Sequence, residues 1–276
     1  DRDLASNNAY AGITNQTGVN SYYITVFILI TFCILITRSK SNTSKSVIFD
    51  FILFLFQGLG FFALILTKRR ISLIVAVVCL FIITLVSLER NKKNYKIIGV
   101  FIGLISLFAL LFLYSSPGKS FFERISLSNL PTDSQRTLFE ILDYYSSGRL
   151  VLWKDSYELI KQRPWFGWGW FSALDLITQF GKAEIPHNAF IQVFLELGII
   201  GLFAYLSLIS YCTYHLIVSL KNEISIYSLF ALGLHVLFLL WSMTENAIWD
   251  GFPFFMYILS YSLLTTQIKQ TSISYV

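Results

Sequence analysis

Long apolar runs separated by short polar segments set the pattern of this chain. Runs over 21–37, 47–66, 71–88, 96–114, 188–218, 225–244 and 252–267 predict seven membrane-crossing helices, since a bilayer span takes about 20 predominantly apolar residues. Between the fourth and fifth runs lies one long polar stretch, 115–186, which holds most of the turn-forming residues and a dense set of charges. The pattern predicts an all-α, polytopic transmembrane helix bundle with a helical loop subdomain. Its parts are an N-terminal transmembrane part over 1–114, the outer loop subdomain over 115–186 and a C-terminal transmembrane part over 187–276.

Orientation follows from the cations between the runs. Arg38, Lys40 and Lys45, then Arg90, Lys92, Lys93 and Lys96, fall on one side with Lys221 and Lys269, which marks that side as cytoplasmic. The long stretch is then outside, and its eight Lys/Arg balance its eight Asp/Glu. The last outer loop carries Glu245 and Asp250. One cluster breaks the rule: Lys68, Arg69 and Arg70 occupy the tight turn between the second and third spans, on the outer face. Either the span boundaries are misjudged, or these cations pair with lipid phosphates, or they form an anion site facing outward.

Composition narrows the class. With 55% hydrophobic and 13% charged residues, the chain has too little polar surface for a soluble domain. The net charge of +5 sits in short interhelical runs, so membrane lipids and not nucleic acid are its expected partners. Cys33, Cys79 and Cys212 all lie in apolar runs, as packing residues do. There is no HExxH, CxxC, P-loop or GxGxxG element, so the chemistry expected here uses neither a bound metal nor a cofactor. The chain opens on a polar stretch, Asp1 to Ser21, without Met or a signal peptide, which suggests that residues precede it.

Within the outer stretch, 148–164 reads as an amphipathic helix with Leu150, Trp153, Tyr157 and Ile160 on one face, capped by Ser146 or Ser147 and ended by Pro164. The aromatic, Gly-rich stretch from Trp165 to Trp170 suits anchoring in the headgroup layer, with sugar stacking as the alternative.

His187 is the sharpest candidate for chemistry. It stands at the outer mouth of the fifth span, between Pro186 and Asn188, and imidazole suits proton transfer near neutrality. Asn188, Gln192 and Glu196 recur every four residues below it, forming one polar stripe on an apolar helix. Helix rise puts Glu196 roughly 13 Å from His187, as either a carboxylate satisfied by a neighbouring element or a functional group. Arg149 opens the amphipathic helix, where a cation opposes the helix dipole. A phosphate held jointly by the helix amides, Arg149 and Arg70 would compensate. For Arg149 alone, an ordinary solvated charge is the alternative. His215 and His235, inside spans, are read as packing residues.

These segments, in this order, resemble the O-antigen ligase and polymerase family. Thr67-Lys-Arg-Arg70 resembles its T-x-x-R turn, with Arg70, or its neighbour Arg69, in the arginine position. Gly148-Arg-Leu-Val-Leu-Trp153 resembles its G-R-x-x-x-W/Y helix, and Pro164-Trp-Phe-Gly-Trp-Gly169 its P-x-x-G-x-G turn. His187-Asn188 with Gln192 and Glu196-Leu-Gly198 resembles its H-N-x-x-x-Q…E-L-G helix. Asn15-Gln-Thr-Gly18 and Thr244-Glu-Asn-Ala-Ile-Trp249 have less specific counterparts.

The resemblance implies a GT-C-like fold with further N-terminal spans, in the bacterial inner (cytoplasmic) membrane, with its active site on the periplasmic face. It implies an undecaprenyl-pyrophosphate-linked glycan as donor, and lipid A–core or a growing glycan as acceptor. His187 would be the catalytic base, and Arg70, Arg149 and alternatively Arg69 would bind the donor pyrophosphate, with Asn188 and Glu196 in support. A polymerase with the same chemistry and a flippase for lipid-linked sugars are the competing readings. The placing of candidate groups at the interface, away from the midplane, favours transfer over transport.

Overall fold

The computed structural model describes residues 17–37, 44–67, 69–90, 137–146, 148–179 and 185–273, with isolated helical positions between 99 and 119. The described residues are helical and contain no strand. In chain order the helices are α1 Thr17–Thr37, α2 Ser44–Leu66, α3 Arg70–Arg90, α4 Leu138–Tyr145, α5 Arg149–Gln162, α6 Ala173–Thr178, α7 Ala189–Asn222, α8 Ile226–Thr244 and α9 Gly251–Ile273. This is an all-α polytopic membrane protein. Among the described residues, five helices are long and apolar enough to cross a bilayer: Thr17–Thr37, Ile48–Leu66, Ile71–Leu88, Ala189–Asn222 and Ile226–Thr244. The run expected at 252–267 forms α9, which is not one of the five. The run expected at 96–114 lies mostly outside the described residues, as do Lys68 and Ser147.

Two compact units make up the chain. The first draws on Asp1–Phe122, His215–Leu237 and Phe255–Val276, the second on Glu123–Tyr214 and Phe238–Phe254.

In the first unit, α1 packs on both α2 and α3. The α1 helix starts at Thr17, earlier than hydrophobicity alone suggests, because Asn20 and Ser21 are buried inside the unit. Ser21 Oγ donates to Gly18 O at 2.6 Å and pairs with Ser72 Oγ of α3 at 2.7 Å. Thr25, Thr31 and Thr37 donate back to carbonyls one turn earlier in α1, which is how a hydroxyl survives in an apolar setting. Gln57 of α2, fully buried, donates to Ile28 O at 2.9 Å. A Cβ at Gly60 would meet Ile28 Cγ1 at 2.7 Å, so that glycine permits the close approach of α1 and α2. The opposite side of α2 exposes Phe51, Leu55, Leu59 and Phe62, the face offered to lipid. Cys33 and Cys79 are buried here, and Cys212 is buried in the second unit. His215 meets the Tyr261 ring edge-on at 5.6 Å, and His235 lies 5.5 Å from the Tyr257 ring, as packing residues do.

The second unit is built around Leu152, Leu159, Ile160, Ala173, Leu176, Ile177 and Leu195, with Trp168, Ile185, Ile191 and Phe194 packed against them. The inward face of α5 is therefore Leu152, Ser156 and Leu159, with Ile160. The expected face differs in phase: Tyr157 is exposed, and Leu150 and Trp153 are only half-buried. Ser156 tolerates full burial because its hydroxyl donates to Leu152 O at 2.7 Å, so a polar residue takes a place on the inward face.

The segment after α5 decides the architecture of this unit. Gly198 interrupts α7 with φ 67° and ψ −167°, which releases backbone groups on both sides of the break. Trp168 N and Gly169 N donate to Leu195 O and Glu196 O at 3.1 and 2.8 Å, and Ile199 N donates to Pro164 O at 2.8 Å. The 164–169 turn thus pairs with the broken helix much as a strand pairs with its neighbour. Both glycines are required. A Cβ at Gly167 would lie 2.4 Å from the Glu196 carbonyl, and one at Gly198 would lie 2.3 Å from the Trp165 carbonyl. Residues 189–197 consequently belong to the core of this unit, and the 24 residues from Ile199 to Asn222 still give ~36 Å of helix, enough to span a bilayer.

Candidate active site

Two sequence-predicted groups of the second unit, His187 and Arg149, meet at one carboxylate. Glu245, in the loop after α8, places Oε2 3.2 Å from His187 Nδ1 and Oε1 3.5 Å from an Arg149 terminal nitrogen. All three side chains are partly shielded, His187 the least at 31% exposed. The carboxylate at Nδ1 orients the imidazole ring. Arg149 in turn sets its guanidinium against the other oxygen of the same carboxylate.

Local structure presents His187 at this point. Its backbone has φ 47°, a left-handed conformation that costs a non-glycine residue about 1–3 kcal/mol and is kept only where surroundings enforce it. Two enforcing contacts are visible. Trp153 of α5 donates from Nε1 to Pro186 O at 2.8 Å, just before the histidine. Asn188, just after it, accepts from Phe190 N and Ile191 N at 3.0 and 3.1 Å as the N-cap of α7, and donates to Met243 O at 3.2 Å. Asn188 therefore ties the start of α7 to the last turn of α8, just ahead of Glu245.

Arg149 does not share its helix terminus with a free anion site. Leu150 N donates to Ser146 Oγ at 3.3 Å and Val151 N to Asp143 Oδ1 at 2.9 Å, with Gly148 as N-cap at φ 83°. These two amides are already taken, so the expected joint cradle of helix amides and guanidinium is corrected. The unfavourable cation at the helix start is offset by Asp143 and Glu245.

Glu196 is fully buried and accepts four hydrogen bonds. Phe171 N reaches Oε2 at 2.9 Å, while Ala173 N, Gln192 Nε2 and Trp249 Nε1 reach Oε1 at 3.3, 3.0 and 3.2 Å. Of the two roles open in the sequence, this geometry is that of a carboxylate satisfied by its neighbours. It fastens the 170–173 segment and Trp249 to α7, and Gln192 of the same polar stripe completes its shell.

Asp250 adds a second carboxyl beside the histidine. Burial, reinforced by the Glu245 charge and opposed by His187, pushes its pKa up to about 6. A carboxyl raised in the folded state carries no charge penalty below its unfolded value. The penalty grows as pH rises through the folded value and is full above about 6. Asp250→Asn is therefore expected to stabilise the protein by up to about 2–3 kcal/mol at pH 7.5. No gain is expected at pH 4, and thermal unfolding of detergent-solubilised protein at both pH values checks this.

The first unit holds the remaining candidates. Arg69 donates from Nε to Thr17 Oγ1 at 2.8 Å and from its backbone N to Thr67 Oγ1 at 3.4 Å. Thr67 is buried and donates to Leu64 O at 2.7 Å, closing α2. Arg70 is the first residue of α3, and its side chain lies outside the described residues. Among the described residues no three His, Cys, Asp or Glu side chains gather in a group that could hold a metal ion.

The O-antigen ligase family model matches residues 55–206, more than half of the 276-residue chain. The chain belongs to the O-antigen ligase family. No curated protein matches it. For this O-antigen ligase family member, the matched segment contains Arg69, Arg70, Arg149, the 164–169 turn, His187 and Glu196, whereas Glu245 and Trp249 lie beyond it. Sequence reading noted Glu245 only as a loop acid. The available signal was that an outer-loop acid and an outer-mouth histidine were assigned the same side of the membrane.

Proposed function

We propose that this family member is a ligase that moves a glycan from undecaprenyl pyrophosphate to lipid A–core on the periplasmic face of the bacterial inner membrane. The contact that carries the reading is the bridging of Arg149 and His187 by Glu245. In this reading His187 Nε2 takes the proton of an acceptor hydroxyl as its oxygen attacks the anomeric carbon of the donor sugar. The bond from that carbon to the pyrophosphate breaks, and the lipid pyrophosphate leaves. Glu245 steadies the imidazolium, and Arg149 offsets charge on the leaving group. Guanidinium groups, not a metal, supply that electrostatic help, which is sufficient in kind. The Arg69–Arg70 turn is proposed on its own residues as a second element for the donor phosphates. In support, its backbone is set by buried Thr67, and Thr17 orients the Arg69 guanidinium. Asn188 and Glu196 serve as positioning residues.

Glycan profiles of a deletion strain test the proposal. Loss of the protein is expected to leave bare lipid A–core, and wild type to restore long-chain glycan. Arg149→Ala, inserted normally, is expected to restore less than about a tenth of the wild-type level, the scale of one lost charge-assisted contact. Core bearing a single repeat in the deletion strain would instead assign a polymerase. Movement of donor without glycosylation, in proteoliposomes, would assign a flippase.

A further inference from the structure

Two non-glycine residues with positive φ occur among the described residues, His187 at 47° and Phe171 at 63°. Both contact the same short loop: His187 meets Glu245, and Phe171 lies against Trp249 with ring centroids 5.8 Å apart. Strain at the first serves the proposed chemistry, so strain at the second asks for a use of its own. The backbone N–H of Phe171 is held by Glu196 Oε2 at 2.9 Å, and the same carboxylate holds Trp249 Nε1 at 3.2 Å. One fully buried carboxylate thus fixes both members of an aromatic group. Trp170 completes it, with its ring centroid 3.7 Å from that of Trp249 and 5.7 Å from that of Phe171. Trp170 and Phe171 remain 51% and 63% exposed.

We infer that Trp170, Phe171 and Trp249 form a stacking platform for a pyranose of the substrate glycan, placed beside the proposed catalytic pair. The inference rests on the transferase reading above and names a sugar subsite for it. Three observations favour a sugar over a polyprenyl tail or the bilayer. First, an anchor needs exposed aromatics but no strained backbone held by a buried carboxylate; Trp165 and Phe166, exposed at the preceding turn, suit anchoring without it. Second, the platform has a charged border. Trp249 is followed by Asp250 and shares its loop with Glu245, the partner of Arg149 and His187. Apolar chains gain nothing from such a border and lose by desolvating it. A pyranose presents C–H groups to aromatic faces and hydroxyls to carboxylates, matching both features. Third, the distance is right for a neighbouring sugar: four peptide units separate Glu245 from Trp249, so their Cα atoms lie within about 15 Å. Asn246 O accepts from both Trp249 N and Asp250 N, at 2.9 and 3.1 Å, so the loop is a defined turn.

The test uses the purified full chain in nanodiscs and two probes. Lipid-free oligosaccharide of the strain's own glycan is titrated while tryptophan fluorescence is followed, and brominated phospholipid is introduced as a membrane quencher. The wild type is expected to respond saturably to oligosaccharide. Trp170→Ala is expected to lose that response, Trp170→Phe to keep most of it, and brominated lipid to leave the Trp170 contribution unquenched. In transfer assays Trp170→Ala is expected to raise KM for the glycan about tenfold with little change in kcat, the scale of one aromatic contact. A wild type insensitive to oligosaccharide, a Trp170→Ala protein that responds like wild type, or quenching of Trp170 by brominated lipid would overturn the platform. Wild-type protein that binds oligosaccharide but transfers nothing would overturn the transferase reading and leave the platform standing.

Discussion

His187→Ala is expected to lower glycan transfer by about 10²–10⁴, the usual contribution of a general base, while membrane insertion and thermal stability stay near wild type. The side chain is partly exposed and pairs with Glu245, so its removal empties no core. Removing it should also relieve none of the backbone strain, because φ at this position is set by the Trp153–Pro186 contact and the Asn188 cap. Glu245→Gln should act through the histidine. It keeps the size of the side chain but removes the charge that steadies an imidazolium. It should therefore reduce kcat more than KM, and it leaves Arg149 without its carboxylate. A well-inserted His187→Ala protein that transfers glycan at the wild-type rate would eliminate the base assignment. Rates from purified protein with lipid-linked donor decide the matter, and glycan profiles of cells give the coarse version.

Gly198→Ala is expected to destabilise the second unit severely, by more than about 4 kcal/mol, which is outside the range of ordinary substitutions. The added Cβ would sit 2.3 Å from the Trp165 carbonyl, against backbone that cannot swing aside. It would also place alanine at φ 67°, a further cost of about 1–2 kcal/mol. Separation of the two segments would then break the hydrogen bonds from Trp168 N, Gly169 N and Ile199 N, each worth about 0.5–1.5 kcal/mol. Gly167→Ala should behave alike, its Cβ lying 2.4 Å from the Glu196 carbonyl. Gly169→Ala is the control: φ is +107° but nothing lies near its Cβ, so only the conformational cost applies. Thermal unfolding of the three variants in detergent should rank Gly169→Ala well above the other two. Equal melting temperatures for Gly198→Ala and wild type would show that this pairing does not hold the unit together.

Much of the architecture was legible in the sequence, because burial in a bilayer imposes a rule that sequence obeys locally. A backbone surrounded by hydrocarbon must satisfy its hydrogen bonds within one helix, so each long apolar run has one solution. The runs at 47–66, 71–88 and 225–244 became α2, α3 and α8 with boundaries within a few residues. The bounds of α5 were equally readable, since Gly148 and Pro164 punctuate its two ends. So was the importance of the 164–169 and 196–198 segments, whose glycines and proline stand out in an aromatic, apolar context.

What the sequence could not supply was which distant groups meet. Glu245 lies 58 residues from His187 and 96 from Arg149, and nothing periodic links them; only the packing of the second unit brings them onto one carboxylate. The inward face of α5 was misread because Ser156 is polar in composition yet satisfied within its own helix. Glu196 looked like an ionisable group descending into lipid because helical spacing is a one-dimensional measure. The break at Gly198 instead gives its carboxylate four donors from the loop, its own helix and Trp249. By itself the sequence determined the all-α membrane class, most of the long helices and the family, set by local hydrophobicity and short motifs. The tertiary structure alone decided the partners of each charge, because a carboxylate's role depends on what surrounds it in space.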